Sequence, residues 1–101
     1  MDISAAELSE RIGKGEVLNI LDVRGEMEYS TFNIGGQNLP LPKLASNIDD
    51  VEYGQDDEII TVCTMGLRST TGKALLNQNG FTNVRNLKGG LIELQKLKKD
   101  Q

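Results

Sequence analysis

Histidine is absent from the 101 residues. That removes Ser–His–Asp and Cys–His nucleophile pairs, and with them every imidazole metal ligand. Cysteine occurs once, at position 63, so no internal disulfide can form and nothing demands an oxidising compartment. One Cys and no His do not make a zinc ligand set, and neither a metal nor a cofactor is expected. Tryptophan is missing too. With Phe32, Phe81, Tyr29 and Tyr53 as the only aromatics, the core must be aliphatic. No apolar run is long enough to span a bilayer, and the start Met1-Asp2-Ile3-Ser4 carries no basic-then-apolar signal segment, so a cytoplasmic protein is expected. There is no basic block or interleaved aromatic platform, and the net charge of −4 argues against a nucleic-acid or anionic-membrane partner. The Lys96-Lys98-Lys99 cluster reads as a solvated helix end.

What the chain does have is glycine, eleven residues of it, which points to tight turns and close backbone approaches. Its length suits one domain over 1–101 with a modest core. Ser4-Ala5-Ala6-Glu7 matches a capping box, and Ala5, Leu8 and Ile12 form a helical stripe ending near Gly13 or Gly15. Val17 to Val23 is nearly all apolar and reads as a strand buried on both faces. Glu26 to Phe32 is a short helical candidate, and Arg24 with Glu28 has i,i+4 spacing for an ion pair. After Gly35-Gly36, Asn38 to Pro42 is expected to be extended, because proline disfavours helix in the residue before it. Lys43 to Ile48 then forms a helix with Leu44 and Ile48 inward. Gly54 to Glu58 is a polar loop before a strand from Ile59 to Cys63. The helix from about Arg68 to Gln78 turns Gly72, Leu75 and Leu76 inward, with Gly80 as its C-cap. Gly72 costs about 1 kcal/mol against Ala there, so close packing on a sheet is the expected reason for it. Asn83 to Leu87 is a strand, and after Gly89-Gly90 the residues Leu91, Leu94 and Leu97 mark a last helix. Strands alternating with helices predict an α/β fold, a mostly parallel central sheet flanked by helices on both faces.

In such sheets ligands bind outside the carboxyl ends of the strands, where Asp22-Val23-Arg24 and Cys63 both fall. A sulfur anion at Cys63 would meet the backbone N–H groups of Thr64 to Ser69, ahead of a helix N-terminus. Arg68 adds a full positive charge. Such settings favour a nucleophilic thiolate at neutral pH without a histidine base. Gly66 gives the turn its backbone freedom, Ser69 is placed to cap the outgoing helix, and Met65 and Leu67 offer soft apolar flanks for a sulfane sulfur. The same features also suit a buried structural Cys, an ordinary turn glycine and a surface arginine.

Cys63-Thr64-Met65-Gly66-Leu67-Arg68-Ser69 resembles the active loop of rhodanese-type sulfurtransferases, C-x-x-G-x-R-S. The likeness covers almost the whole chain. Leu21-Asp22-Val23-Arg24 with Glu28-Tyr29 resembles D-V-R-x-x-x-E-[YF], and Asn33 to Leu41 resembles H-I-x-G-A-x-x-[IL]-P-L. Gly80-Phe81-Thr82-Asn83-Val84 followed by Leu87-Lys88-Gly89-Gly90 resembles G-F-x-N-V … L-x-G-G. The resemblance implies sulfane-sulfur transfer through a cysteine persulfide. Cys63 would be the nucleophile and sulfur carrier, Thr64, Met65, Gly66, Leu67 and Arg68 the cradle, and Arg68 the group favouring an anionic donor. Asp22 and Arg24 match positions that support the site or serve structure alone. Asn33 stands where the family often has His, and Leu94 where Trp is common.

The expected reaction is ping-pong. A donor such as thiosulfate or a persulfide gives its outer sulfur to Cys63, which passes it to cyanide, a thiol or a protein acceptor. No resolving thiol exists in the chain, so the acceptor must be another molecule. Two alternatives stand beside this. One is a sulfur-relay or interaction module serving protein partners. The other is a Cys-based phosphatase or arsenate reductase, whose loops tend to be one residue longer than the four residues between Cys63 and Arg68.

Overall fold

The apolar stretches that read as strands form the centre of the molecule. The computed structural model describes residues 1–99. In chain order the elements are α1 (Ala5–Gly13), β1 (Ile20–Asp22), α2 (Glu26–Thr31), β2 (Gln37–Asn38), α3 (Leu41–Ser46), a 3-10 turn (Ile48–Asp50), β3 (Ile59–Val62), α4 (Leu67–Gln78), β4 (Val84–Asn86) and α5 (Gly90–Lys99). The four strands are all parallel, in the order β2-β1-β3-β4. Ile3 adds a parallel bridge to Leu87 beyond β4. The chain leaves β1 toward one edge and returns to place β3 on its other side. That reversal creates a crevice at the carboxyl ends of β1 and β3, where an open α/β sheet holds its ligands.

Alternation along the strands feeds two cores. Leu21, Val23, Ile59, Cys63 and Val84 face Leu44 of α3 and Leu76 of α4. Ile20, Ile60, Val62 and Leu87 face Leu8 of α1 and Leu91 and Leu94 of α5. Leu94, where a Trp is common in the family, is fully packed. Burying a side chain such as Leu44 or Leu76 stabilises the fold by about 2 kcal/mol. Gly72 is buried, and a Cβ there would lie 3.3 Å from Val23 Cγ1 and 3.6 Å from Leu44 Cδ2, so its small size lets α4 sit close on the sheet and α3.

Several expectations change. The first strand is shorter than Val17–Val23, and Val17 is exposed, because the partner strand β3 reaches only from Ile20 onward. Ile12 is likewise exposed on α1. Ser4 caps α1 by accepting the Glu7 N–H at 3.0 Å, but the Glu7 carboxylate pairs with Arg85 instead of closing the capping box. Helix α3 starts at Leu41 and carries Pro42 in its first turn, where proline's missing N–H costs nothing. It ends before Ile48, which lies in the 3-10 turn. The extended segment therefore runs only as far as Pro40, and it includes the unexpected strand β2. Gly80, at φ +89, follows the C-cap Asn79, and Phe81 N–H closes on Leu76 O at 3.1 Å. Lys96 and Lys98 are exposed on α5, and the Lys99 side chain lies outside the described residues.

Candidate active site

Strand β3 delivers Cys63 to the crevice, and the next three residues turn the chain into α4. Gly66 is the N-cap of α4 at φ +95, the left-handed region that glycine adopts without strain. The turn folds over the sulfur. The N–H groups of Gly66 and Ser69 donate to Cys63 Sγ at 3.1 and 3.3 Å, and Sγ lies 3.2 Å from Ser69 Oγ. Two backbone donors at a helix N-terminus favour negative charge on sulfur. The N–H groups of Thr64, Met65, Leu67 and Arg68 take no acceptor among the described residues. They are donors available to an added sulfur or an oxyanion.

Ser69 is not the cap of α4. Gly66 fills that position, which leaves the buried Ser69 hydroxyl between Cys63 and Asn86 of β4. Met65 and Leu67 are 64 % and 78 % exposed, so they rim the mouth and do not cover the sulfur. Cys63 itself is buried at the floor of a cleft of about 390 Å³, lined also by Glu28, Thr64, Met65, Leu67 and Arg68. A second cleft of about 410 Å³, toward Met27, Phe32 and Gln95, shares Glu28 and Thr64 with the first.

Arg68 is not free to offer its full charge. Glu28 of α2 clamps it with two parallel bonds, Nη1 to Oε1 at 2.7 Å and Nη2 to Oε2 at 2.9 Å. The Arg68 guanidinium and the Gly25 N–H hold the Glu28 carboxyl down at about 2, against an ordinary 4.5. The stabilisation from this pair is therefore complete above about pH 4.5 and is lost only as pH falls through about 2. Near neutral pH the Glu28 carboxylate is ionised, so protonation does not open the clamp.

Arg24 does not form the i,i+4 pair with Glu28. It precedes the Gly25 N-cap of α2 and turns back onto Asp22, with Nε to Oδ1 at 3.0 Å and Nη2 to Oδ2 at 2.7 Å. Its remaining donors reach the carbonyls of Phe32 at 2.6 Å and Glu28 at 3.4 Å. Both side chains are buried. Neither touches Sγ; they fix α2, and so Glu28, against the end of β1. Asn33 also stays local, accepting the Gly35 N–H and donating to Tyr29 O.

The N-terminus of α5 completes the loop. Leu91 N–H donates to Cys63 O at 2.9 Å and Ile92 N–H to Thr64 O at 3.1 Å. A Cβ on Gly90 would lie 2.3 Å from Thr64 O, so only glycine permits this approach. The roles of Glu28, Asn86 and Gly90 in the site were not assigned from sequence. Glu28 and Gly90 carried a signal, since both lie in the quoted motifs; Asn86 carried none.

Comparison with known proteins places this geometry. The family model for the Rhodanese-like domain matches residues 4–97. A tRNA uridine(34) hydroxylase of Erwinia tasmaniensis is 28 % identical over 98 % of this chain and 29 % of its own. A putative sulfur carrier protein, YrkF, of Bacillus subtilis is 32 % identical over 89 % of this chain and 48 % of its own. The chain thus spans less than half the length of these relatives. Among solved structures, the human single-domain sulfurtransferase TSTD1 superposes with a TM-score of 0.81 at 25 % identity, covering 94 % of this chain and 95 % of that one. With C-T-M-G-L-R-S wrapped around a buried sulfur on a wholly parallel sheet, the chain belongs to the rhodanese-like domain family.

Proposed function

We propose that the protein is a sulfurtransferase in which Cys63 accepts a sulfane sulfur from thiosulfate or a persulfide donor and yields it to an outside thiol, a protein or cyanide. The observation that carries this reading is the loop itself. Sγ already holds two backbone donors, and the four further N–H groups of the turn and helix start have no acceptor among the described residues. The Cys63 thiolate attacks the outer sulfur of the donor, and the bond to sulfite or the donor thiolate breaks with its electron pair on the leaving group. The acceptor then attacks the outer sulfur, and the Cys63 thiolate departs. Thiosulfate assayed with varied cyanide should give thiocyanate with parallel ping-pong lines. Intersecting lines, or thiocyanate formed equally by Cys63→Ser, would count against it.

The Arg68–Glu28 clamp sets the donor preference. An anionic donor must displace Glu28 before it gains Arg68. Glu28→Gln keeps the shape and removes the competing charge, so KM for thiosulfate should fall about tenfold, the worth of one charge-assisted hydrogen bond. KM for an uncharged alkyl persulfide should move little.

A relay between proteins is the second reading. Met27, Met65 and Leu67 are 81 %, 64 % and 78 % exposed around the two clefts, an apolar rim suited to a protein surface. Transfer from a persulfidated protein much faster than from thiosulfate, and slowed by Met65→Ser with Leu67→Ser, would favour it.

A further inference from the structure

The resting hydrogen bonds behind Cys63 form one directed chain. Ser69 Oγ donates to Asn86 Oδ1 at 2.5 Å, Asn86 Nδ2 donates to Thr70 Oγ1 at 3.1 Å, and Thr70 Oγ1 donates to Gly66 O at 2.7 Å. With the Ser69 proton on Asn86 Oδ1 no hydroxyl of this chain donates to the sulfur, although the 3.2 Å contact between Sγ and Ser69 Oγ admits either atom as donor. In that arrangement Ser69 shows Cys63 a lone pair, which an S–H can use and a sulfur anion cannot. The anion needs Ser69 to donate to Sγ, and Ser69 Oγ then needs a donor of its own.

Asn86 is the one member that can supply it. A half-turn of its amide brings Nδ2 to Ser69 Oγ and Oδ1 to Thr70 Oγ1. The Thr70 hydroxyl then swings from Gly66 O to Oδ1, and Gly66 O keeps its bond from Thr70 N–H at 3.2 Å. Each group stays satisfied in both directions. The Asn86 backbone is held on its other side, its N–H by Asp2 at 3.1 Å and its carbonyl by Ile3 N–H at 3.0 Å, so only the amide has to move. Thr61, its register partner on β3, has a buried hydroxyl with no partner among the described residues.

We propose that Asn86 is a positioning residue for the sulfur chemistry, turning its amide to reverse the chain Thr70–Asn86–Ser69 so that it supports the Cys63 thiol in one direction and the sulfur anion in the other. The thiol proton leaves to solvent base. No proton travels along the chain, and only the directions of its donors change. The charged groups nearby are paired in both states: Arg68 with Glu28 over the mouth, Asp22 with Arg24 at the end of β1, and Asp2 with Lys73 beside β4. The inference rests on Cys63 as nucleophile but not on sulfur transfer, and its test separates the two.

The test is the rate of Cys63 alkylation by iodoacetamide against pH, which needs no sulfur donor. Thr70 is exposed, so Thr70→Val opens no core cavity while removing the hydroxyl that must turn to Asn86, and circular dichroism of the variant checks its fold. Its profile should move along the pH axis, because the lost hydroxyl accepts from Asn86 Nδ2 in one direction of the chain and donates to Oδ1 in the other, and Thr70→Ser should restore it. In a Ser69→Ala background Thr70→Val should have no further effect. Asn86→Asp, which can only accept, should shift the profile further, and most of that shift should vanish with Ser69→Ala. A Thr70→Val profile identical to the parent, or one displaced equally with and without Ser69, would overturn the proposal.

Discussion

Replacing Arg24 with Met is expected to cost about 3–5 kcal/mol of stability, a large share of what a domain of this size has. Asp22 is 0 % exposed, and Arg24 supplies its bonds through Nε, Nη2 and the backbone N–H. Removing the guanidinium leaves a buried carboxylate with a single backbone donor, and it leaves Phe32 O without its Nη2 partner. Asp22→Asn combined with Arg24→Met should recover part of the loss, because the uncompensated charge goes with its partner. Urea unfolding of the parent and the two variants checks this. A loss below about 1 kcal/mol for Arg24→Met would mean that the buried pair carries little. The single variant should also weaken the site, since the freed end of α2 carries Glu28.

Gly90→Ala is expected to lower kcat/KM about a hundredfold, the effect of displacing a catalytic group by an ångström or so. The new Cβ would sit 2.3 Å from Thr64 O and 2.6 Å from Met65 N, at a φ of +71 that alanine adopts only under strain. The N-terminus of α5 must back away, and the Leu91 and Ile92 bonds to the carbonyls of Cys63 and Thr64 break with it. The cradle then loses its floor. Gly13→Ala is the control, because among the described residues nothing lies within 4 Å of a Cβ added there and its φ is not positive. Steady-state rates for both variants decide the matter. Equal activity in Gly90→Ala and Gly13→Ala would show that the α5 contact does not shape the loop.

The parts of the fold that were legible in the sequence are those fixed by short-range pattern. The run Ile59 to Cys63, the helix after Gly66 and the terminal Leu91-Leu94-Leu97 stripe each carry their own periodicity or turn signal. Strand β2 carried none: Gln37 and Asn38 are polar, half-buried and only two residues long, and they are a strand because β1 lies beside them. Pro42 misled through a correct rule, since proline breaks a helix interior but is tolerated in a first turn. Arg24 and Glu28 have helical spacing, yet Arg24 lies before the helix starts, so the spacing has no surface on which to act. The same limit applied at the site. The loop and its cysteine could be read from local motif, but the Arg68 partner lies forty residues away and Asn86 arrives from another strand. Contacts of that range follow from strand order, which no local pattern encodes.

The central claim is that Cys63 carries a transferable sulfur. Intact mass after incubation with thiosulfate, or with an alkyl persulfide donor, tests it most directly. The parent protein should gain the mass of one sulfur atom, lose it on addition of cyanide or a thiol, and show no gain as Cys63→Ser. No gain with any donor, or a gain that persists in Cys63→Ser, would contradict the account.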